Sequence, residues 1–443
     1  MVRAEISIFM ALILSLICIF ILSLIESARF ELIKYEMELK SDLALRSCFG
    51  EYSRELFEEF DLLYIDSSYR YGKGDIAYLE DHLKDYTDIN LKSKKSDFLR
   101  LKLNSLKIED YLPASGKEGT AMKNQAVYYI KNYGKEKYRS KLKEYISVME
   151  DQEEDFIEQW DMHLNNGITG EGKTNPALEV RNRLVSTNQL LNGSYIYMKV
   201  LPYKDLPSKR KLNEGSYPED KCREEEDDGY FEEYLMQKLG CYTEYDGDQA
   251  LRCELEYMIA GGLKDKENMN YIVGELLSHR ESVNLNLIKN DPYLRDKALD
   301  LAYEYVHVEY PESVYEIRDS LIYAWAYGQA CIDVNSLLCK GYVEADPARD
   351  DITLPLGDIR NFRNYMGKGI GHGLSYKEYL GIMLLNTDRR KKKMRFMDVV
   401  EMDMRRKENT DFRIDNCFEY VKASMNYESG FGYSKVVERD FEY

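Results

Sequence analysis

The sharpest chemical spelling in the sequence is Gly167-Ile168-Thr169-Gly170-Glu171-Gly172-Lys173-Thr174, a letter-for-letter G-x-x-x-x-G-K-T. In a phosphate-binding loop the backbone amides wrap the phosphates, the lysine reaches the β/γ oxygens and the threonine hydroxyl holds Mg²⁺. That geometry needs a buried strand before the loop and a helix directly after it. The flanks supply neither: Asp151 to Leu164 is acidic with helical spacing, and Pro176 follows Thr174 by two positions. Glu171 also places a carboxylate where the anion would lie, and no downstream apolar run ends in an Asp suited to Mg²⁺. The spelling therefore reads as a glycine turn. A second glycine-rich stretch, Gly367-Lys368-Gly369-Ile370-Gly371-His372-Gly373, runs into a helix start at Ser375, where an anion could sit on the helix N-terminus. It lacks the preceding strand of a dinucleotide fold and reads as a hinge or surface loop.

The remaining chemistry-bearing residues are dispersed. His82, His163, His279, His307 and His372 form no H-E-x-x-H and no pair at metal-ligand spacing, and no Cys-x-x-Cys occurs. Cys18 falls in an apolar run, leaving Cys48, Cys222, Cys241, Cys253, Cys331, Cys339 and Cys417, an odd number that argues against a complete disulfide framework. Cys331 and Cys339 sit in apolar helical patterns as small hydrophobes, and Cys241 with Cys253 could form one bridge in an external body. Glu224 to Asp228 and Glu244 to Asp248 carry oxygens for Ca²⁺ without EF-hand spacing and read as solvated acidic loops. Arg389-Arg390-Lys391-Lys392-Lys393 reads as an exposed basic helical face. The expectation is a protein that is not an enzyme, with no catalytic, cofactor-binding or metal-binding residue and no cofactor.

The elements that carry these residues begin with a membrane segment. Ile6 to Ile25 is an uncharged apolar run, long enough as a helix to cross a hydrocarbon core of roughly 30 Å. Ile25 to Ala28 offers no good signal-peptidase site, so the run reads as a retained anchor. Arg3 precedes it while Arg29, Lys34 and Lys40 follow, which leaves sidedness open on charge alone. The 443 residues carry 61 Lys+Arg against 79 Asp+Glu, a net −18 that disfavours nucleic acid as a partner.

Apolar or small residues recur at helical spacing from Ile33 through Met37, Ala44, Cys48, Tyr52 and Leu56, extending the membrane helix into a stalk that kinks near Gly50. Helical patches follow at 96–106, 121–132 and 138–149. The segment 194–201 (SYIYMKVL) reads as a strand, and the stretch 431–441 alternates as a strand that could pair with it. From Tyr230 the pattern turns helical, and Ser375-Tyr376-Lys377-Glu378 is a capping box that opens a helix expected to reach Lys407. The fold class is thus mostly α (α+β): an N-terminal transmembrane helix continuing into a stalk, then a helical body with a small antiparallel sheet. The expected divisions are 1–25 (tail and transmembrane helix), 26–66 (stalk), 67–207 (mixed region), 208–229 (acidic linker) and 230–443 (helical region ending in a strand).

Two resemblances add to this. Arg3-Ala4-Glu5-Ile6-Ser7-Ile8-Phe9-Met10-Ala11-Leu12-Ile13-Leu14, with Ile25-Glu26-Ser27-Ala28-Arg29-Phe30 closing the apolar run, resembles the N-terminus of TadE/TadG-like minor pilins of tight-adherence pili. Ala4 stands where that family usually has a cleavage glycine and Phe9 where it has a buried glutamate, so the resemblance implies a membrane-retained accessory subunit. The rest of the chain resembles an uncharacterised family of single-pass membrane proteins from Gram-positive anaerobes. Its matching stretches are 44–63 (ALRSCFGEYSRELFEEFDLL), 255–262 (LEYMIAGG) with Lys266-Glu267-Asn268, 323–333 (YAWAYGQACID) and 374–385 (LSYKEYLGIMLL) leading to Met397-Asp398.

These readings converge on a single-pass cell-membrane protein with most of its chain extracytoplasmic, an accessory or scaffold component of a Tad or type IV pilus-like or envelope assembly machine. Its expected partners are the lipid bilayer and other pilin-like or secretion-system membrane proteins. An extracytoplasmic sensor or ligand-binding module is the alternative, and nucleotide binding through 167–174 ranks below both. Titration calorimetry with Mg-ATP is expected to show no micromolar binding. Binding that Lys173→Ala abolishes overturns that reading.

Overall fold

A computed structural model describes residues 2–69, 74–92, 99–149, 173–191, 200–224, 227, 229–245, 247, 249–367, 371–407 and 410–443. The chain divides into two units: unit 1 is Met1–Gln125, Arg210–Glu225 and Met404–Tyr443, and unit 2 is Ala126–Lys209 and Glu226–Asp403.

Unit 1 begins with one helix, Val2–Phe49, of 48 residues, about 72 Å at the helical rise. Its first part is apolar all round: Phe9, Leu16 and Phe20 are 63–66% exposed. From Ile33 the pattern changes to a single buried stripe through Met37, Ala44, Leu45, Cys48 and Phe49, at the three- and four-residue spacing that one helix face allows. The expected stalk is therefore a core element from Ile33 onward. It packs on the Ile76–Leu91 helix and the Ser434–Glu442 strand. The helix stops at Gly50, where the kink was expected, and Ser53 caps the short Arg54–Phe60 helix that follows.

The sheet of unit 1 is antiparallel and centred on Cys417–Glu428. Ser434–Glu442 pairs with it from Tyr420↔Glu442 to Glu428↔Ser434, and Lys102–Pro113 pairs on the other side from Lys102↔Glu428 to Pro113↔Phe418. Ile65–Asp66 adds a short pairing to Phe418 and Cys417. Along the central strand Val421, Ala423, Met425 and Tyr427 are buried while Lys422, Ser424 and Asn426 are less so, the period of two that a pleated strand imposes. The first and last segments of the chain are tied together here. Ser41 Oγ lies 2.9 Å from Tyr427 Oη, Lys435 and Arg439 each reach Glu38 at 2.9 Å, and Arg439 meets Asp42 at 3.0 Å.

Three sequence expectations change here. The C-terminal strand forms, but its partner is Cys417–Glu428. The 194–201 run falls almost wholly outside the described residues, and Val200 bridges Lys264 instead. The 96–106 patch is not helical where described: Lys102 already lies in a strand, because the alternating run that follows finds a sheet edge. The stretch read as an acidic linker is, from Arg210 to Glu225, part of unit 1. Ser216 pairs with Tyr111, and Arg210 meets Asp415 at 2.6 Å.

Unit 2 is helical around Val314–Leu338, which is buried throughout from Ser320 to Leu338. Asp265–Asn290, Pro292–Tyr305 and Pro176–Arg181 pack against it. At its centre Arg280, 1% exposed, faces Asp333, 2% exposed, at 3.0 Å. Every other direction of the pair is bonded too. Arg280 Nη1 donates to the Glu344 carbonyl at 2.7 Å and Nη2 reaches Asn284 Oδ1 at 3.5 Å, while Asn284 Nδ2 and Gln329 Nε2 donate to Asp333 at 2.9 and 2.8 Å. The capping box forms as its spacing predicts, with Ser375 N donating to Glu378 Oε2 at 2.8 Å. The helix it opens ends at Leu385, not Lys407. A second helix, Arg389–Lys407, starts after Asp388, whose carboxylate accepts the Lys391 amide at 2.9 Å.

Removing one partner of a buried pair strands the other charge, which costs about 3–5 kcal/mol. Asp333→Ala is expected to lower unfolding free energy by about that amount in denaturant titration. A loss well under 1 kcal/mol sinks the central role given to the pair.

Candidate functional site

Of the phosphate-loop spelling, 167–172 lies outside the described residues. The Lys173 ammonium is taken by the Glu304 carbonyl oxygen, and Thr174 offers its own carbonyl to Arg360 at 2.8 Å. Asn175 then caps a helix of only 6 residues. In the second glycine loop, 368–370 lies outside the described residues, and the flanks serve the chain itself. Gly367 N donates to Asn335 Oδ1 at 2.6 Å. Gly373 has φ +103°, and a Cβ there would stand 2.3 Å from the Val343 carbonyl carbon, so only glycine fits beside the Tyr342–Val343 and Leu374–Ser375 pairing.

The basic cluster is exposed as expected at Arg389, Arg390 and Lys391, but its last two residues are a correction. Lys392 and Lys393 are 4% and 8% exposed, and Lys392 is paired with the buried Glu232, because the second helix turns these positions toward the Tyr230–Lys238 helix. In the acidic loops Glu244 is bonded to Lys377 at 2.8 Å and Asp227 accepts the Gly229 amide at 3.1 Å, while 225, 226, 228, 246 and 248 lie outside the described residues. His163 does so too. Among the described residues no three His, Cys, Asp or Glu side chains stand where they could share a metal ion. All the cysteines are free thiols, Cys241 and Cys253 included. Cys331 is buried as its pattern implies, but Cys339 is exposed, since the helix ends at Leu338 and leaves it at the cap.

The polar constellation that the sequence does not announce lies in unit 1, where the long helix ends. Glu51 follows the Gly50 turn. His82 Nδ1 meets one of its oxygens at 3.2 Å, and Tyr86 donates to the other at 2.7 Å. Both come from one face of the Ile76–Leu91 helix, four residues apart. The His82 ring stacks on Tyr69 with centroids 3.6 Å apart, and Tyr69 Oη lies 3.9 Å from Cys48 Sγ. Tyr69 has φ +45°, a left-handed conformation uncommon for a bulky side chain and of the kind that clusters at ligand sites. A cavity of about 320 Å³ opens here, with Glu51, Arg54, Asp66, Tyr69, Lys407 and Phe412 among its walls.

The electrostatics suit binding better than nucleophilic attack. Burial pushes the Cys48 thiol up to about 12, so at neutral pH it is protonated and not a thiolate. The hydrogen bond to Glu51, with burial second, pushes Tyr86 up to about 12. Sequence spacing gives no hint of this cluster, because its partners meet across 31 and 35 residues.

The sequence pattern of a family of unknown function, DUF5702, matches residues 172–429, more than half of the chain. The chain belongs to that family. No curated protein and no solved structure matches it. The DUF5702 region holds the Arg280–Asp333 pair and the central strand of unit 1, whereas the apolar helix and Glu51 lie N-terminal to it.

Inside the DUF5702 region burial pushes carboxyls far above their ordinary range, Glu419 to about 8. Glu256 is fully buried, accepts from Tyr376 Oη and Tyr242 N at 2.8 Å each, and is pushed up to about 7 by burial. Glu281 is likewise pushed up to about 7. Burial drives His279 the other way, down to about 4, with Arg280 adding to it.

A carboxyl raised in the folded state binds more protons folded than unfolded. Its contribution to stability is complete below the unfolded value near 4.3 and is lost as pH rises through about 7. Glu256→Gln keeps the acceptor for Tyr376 and Tyr242 without the charge. Thermal unfolding of both proteins is expected to show similar midpoints at pH 4 and a wild type several degrees below the variant at pH 8. A gap independent of pH refutes the neutral carboxyl.

Proposed function

We propose that this chain is a membrane-anchored, extracytoplasmic accessory or scaffold component of a pilus-like or envelope assembly machine. One observation carries the proposal: the helix with the exposed apolar run at 6–25 also supplies the core stripe from Ile33 to Phe49. An anchor joined to its cargo by a flexible linker lets the body wander, whereas an anchor that is itself part of the core fixes unit 1 at a set distance from the bilayer. Such fixed placement suits a positioning part of an assembly.

The resemblance of the first thirty residues to TadE-like pilins supplies the finer reading. Ala11, Ser15 and Ser23 lie four and eight residues apart and allow close approach of neighbouring pilin-like helices, and the Ser15 hydroxyl is already satisfied by the Leu12 carbonyl at 2.8 Å. Phe9 removes the carboxylate that would draw the helix into a filament core, which favours retention in the cell membrane.

The cavity beside Glu51 favours a second reading, an extracytoplasmic sensor or ligand-binding module.

Protease shaving of intact cells stripped of their wall, with membranes then probed for the region around Phe441, is expected to show loss of the body while the anchor stays behind. Full protection until the cells are lysed places the body inside and overturns the assembly reading.

A further inference from the structure

Unit 2 contains a cavity of about 590 Å³ formed by the Pro292–Tyr305 helix, Trp325 of the central helix and the 349–357 segment. Its floor is apolar and buried: Leu294, Trp325 and Leu354 are 4%, 3% and 1% exposed. Its rim carries Lys297 and Arg349. The Lys297 ammonium stands 4.4 Å and the Arg349 guanidinium 4.9 Å from the centroid of the Tyr293 ring, itself 49% exposed. Arg349 is aimed by Asp291, which meets its Nη2 at 2.7 Å. Among the described residues Lys297 makes no ion pair. The one acidic side chain on the lining is Asp350, which is exposed.

The wall opposite the helix is fixed before any ligand arrives. Trp325 Nε1 donates to the Leu354 carbonyl at 2.7 Å, and Gln329 Oε1 accepts the Thr353 and Leu354 amides at 3.0 and 2.9 Å. Gln329 in turn donates to Asp333 at 2.8 Å, so the wall hangs on the buried ion pair. A Cβ on Gly357 would meet nothing within 4 Å, which leaves the mouth open. The volume, the apolar floor and a few convergent charges are what a pre-formed small-molecule site requires. Among the described residues Lys297 is the rim cation without an ion-pair partner, Arg349 being paired with Asp291, and it selects an anionic group on the ligand.

We propose that this cavity binds a small organic anion with an apolar body. The ligand's carboxylate lies at Lys297 and Arg349, and its hydrocarbon part over Trp325, Leu294 and Leu354. The inference holds whichever side of a membrane unit 2 faces, so it stands apart from the assembly reading.

The chain has 2 tryptophans, Trp160 and Trp325, so Trp160→Phe leaves Trp325 as the sole reporter. The full chain in lipid nanodiscs is titrated with cyclohexanecarboxylate, cyclohexylmethanol and cyclohexylamine, with empty nanodiscs subtracted. A saturable change in Trp325 emission is expected with the carboxylate, at least about tenfold weaker binding of the alcohol and the amine, and about tenfold weaker carboxylate binding in Lys297→Gln, as loss of one charge-assisted hydrogen bond implies. Lys297→Arg restores the affinity. Lys297 is exposed, so neither replacement disturbs the core. An absent or unsaturable response, equal responses to the three probes, or unchanged carboxylate binding in Lys297→Gln each overturns the proposal.

Discussion

The Arg280–Asp333 pair is the constraint on which unit 2 depends. Two opposite charges removed from water are tolerated only when their remaining hydrogen-bonding capacity is filled, and here each added bond recruits another element. The Glu344 carbonyl brings in the end of the Tyr342–Val343 strand, and Asn284 fixes the register of Asp265–Asn290 against Val314–Leu338. Gln329 carries the pattern outward to the 353–354 backbone. Tyr379 Oη, 3.3 Å from Arg280, does the same for the capped Tyr376–Leu385 helix. An apolar pair of equal volume could fill that space with as much stability. It would not tell each of these elements where to stop. The pair works chiefly as a register mark, and the wall of the larger cavity is one of the things it places.

How much of this was legible in sequence depends on whether a signal was local. The apolar run at 6–25, the helical extension to Gly50, the capping box at Ser375 and the alternation of the last strand are all patterns of neighbours close in sequence, and each appears where its pattern put it. Val421 to Tyr427 alternates just as cleanly, but its partners, Lys102–Pro113 and Ser434–Glu442, lie on either side of it in sequence and only the fold brings them together. The break at Asn386 to Asp388 is hard to read because no glycine or proline marks it, while Asp388 opens a new helix by accepting the Lys391 amide. Arg280 and Asp333 stand 53 residues apart, and nothing in either neighbourhood announces the other. Glu51, His82 and Tyr69 are silent for the same reason. Sites assembled by tertiary folding leave no trace in spacing.

The converse held for the motif that spelled itself most fully. A phosphate loop is a backbone conformation, and its letters matter only when a strand and a helix hold the amides in a ring. Lys173 is instead drawn to a main-chain oxygen. Gly373 shows what a glycine-rich stretch can be for when no ligand is involved, since the backbone of Val343 occupies the space a side chain would need.

The ties between Glu38 and Lys435, and between Ser41 and Tyr427, join positions 397 and 386 residues apart. A ribosome adding about 5–20 residues per second takes roughly 20–80 s to cover such an interval. Through that time the helix is made and able to enter a bilayer while the strands that cover its Ile33–Phe49 stripe do not yet exist. The Ile76–Leu91 helix can cover part of that stripe early, whereas the part packed on Ser434–Glu442 stays open until the chain beyond Cys417 is made.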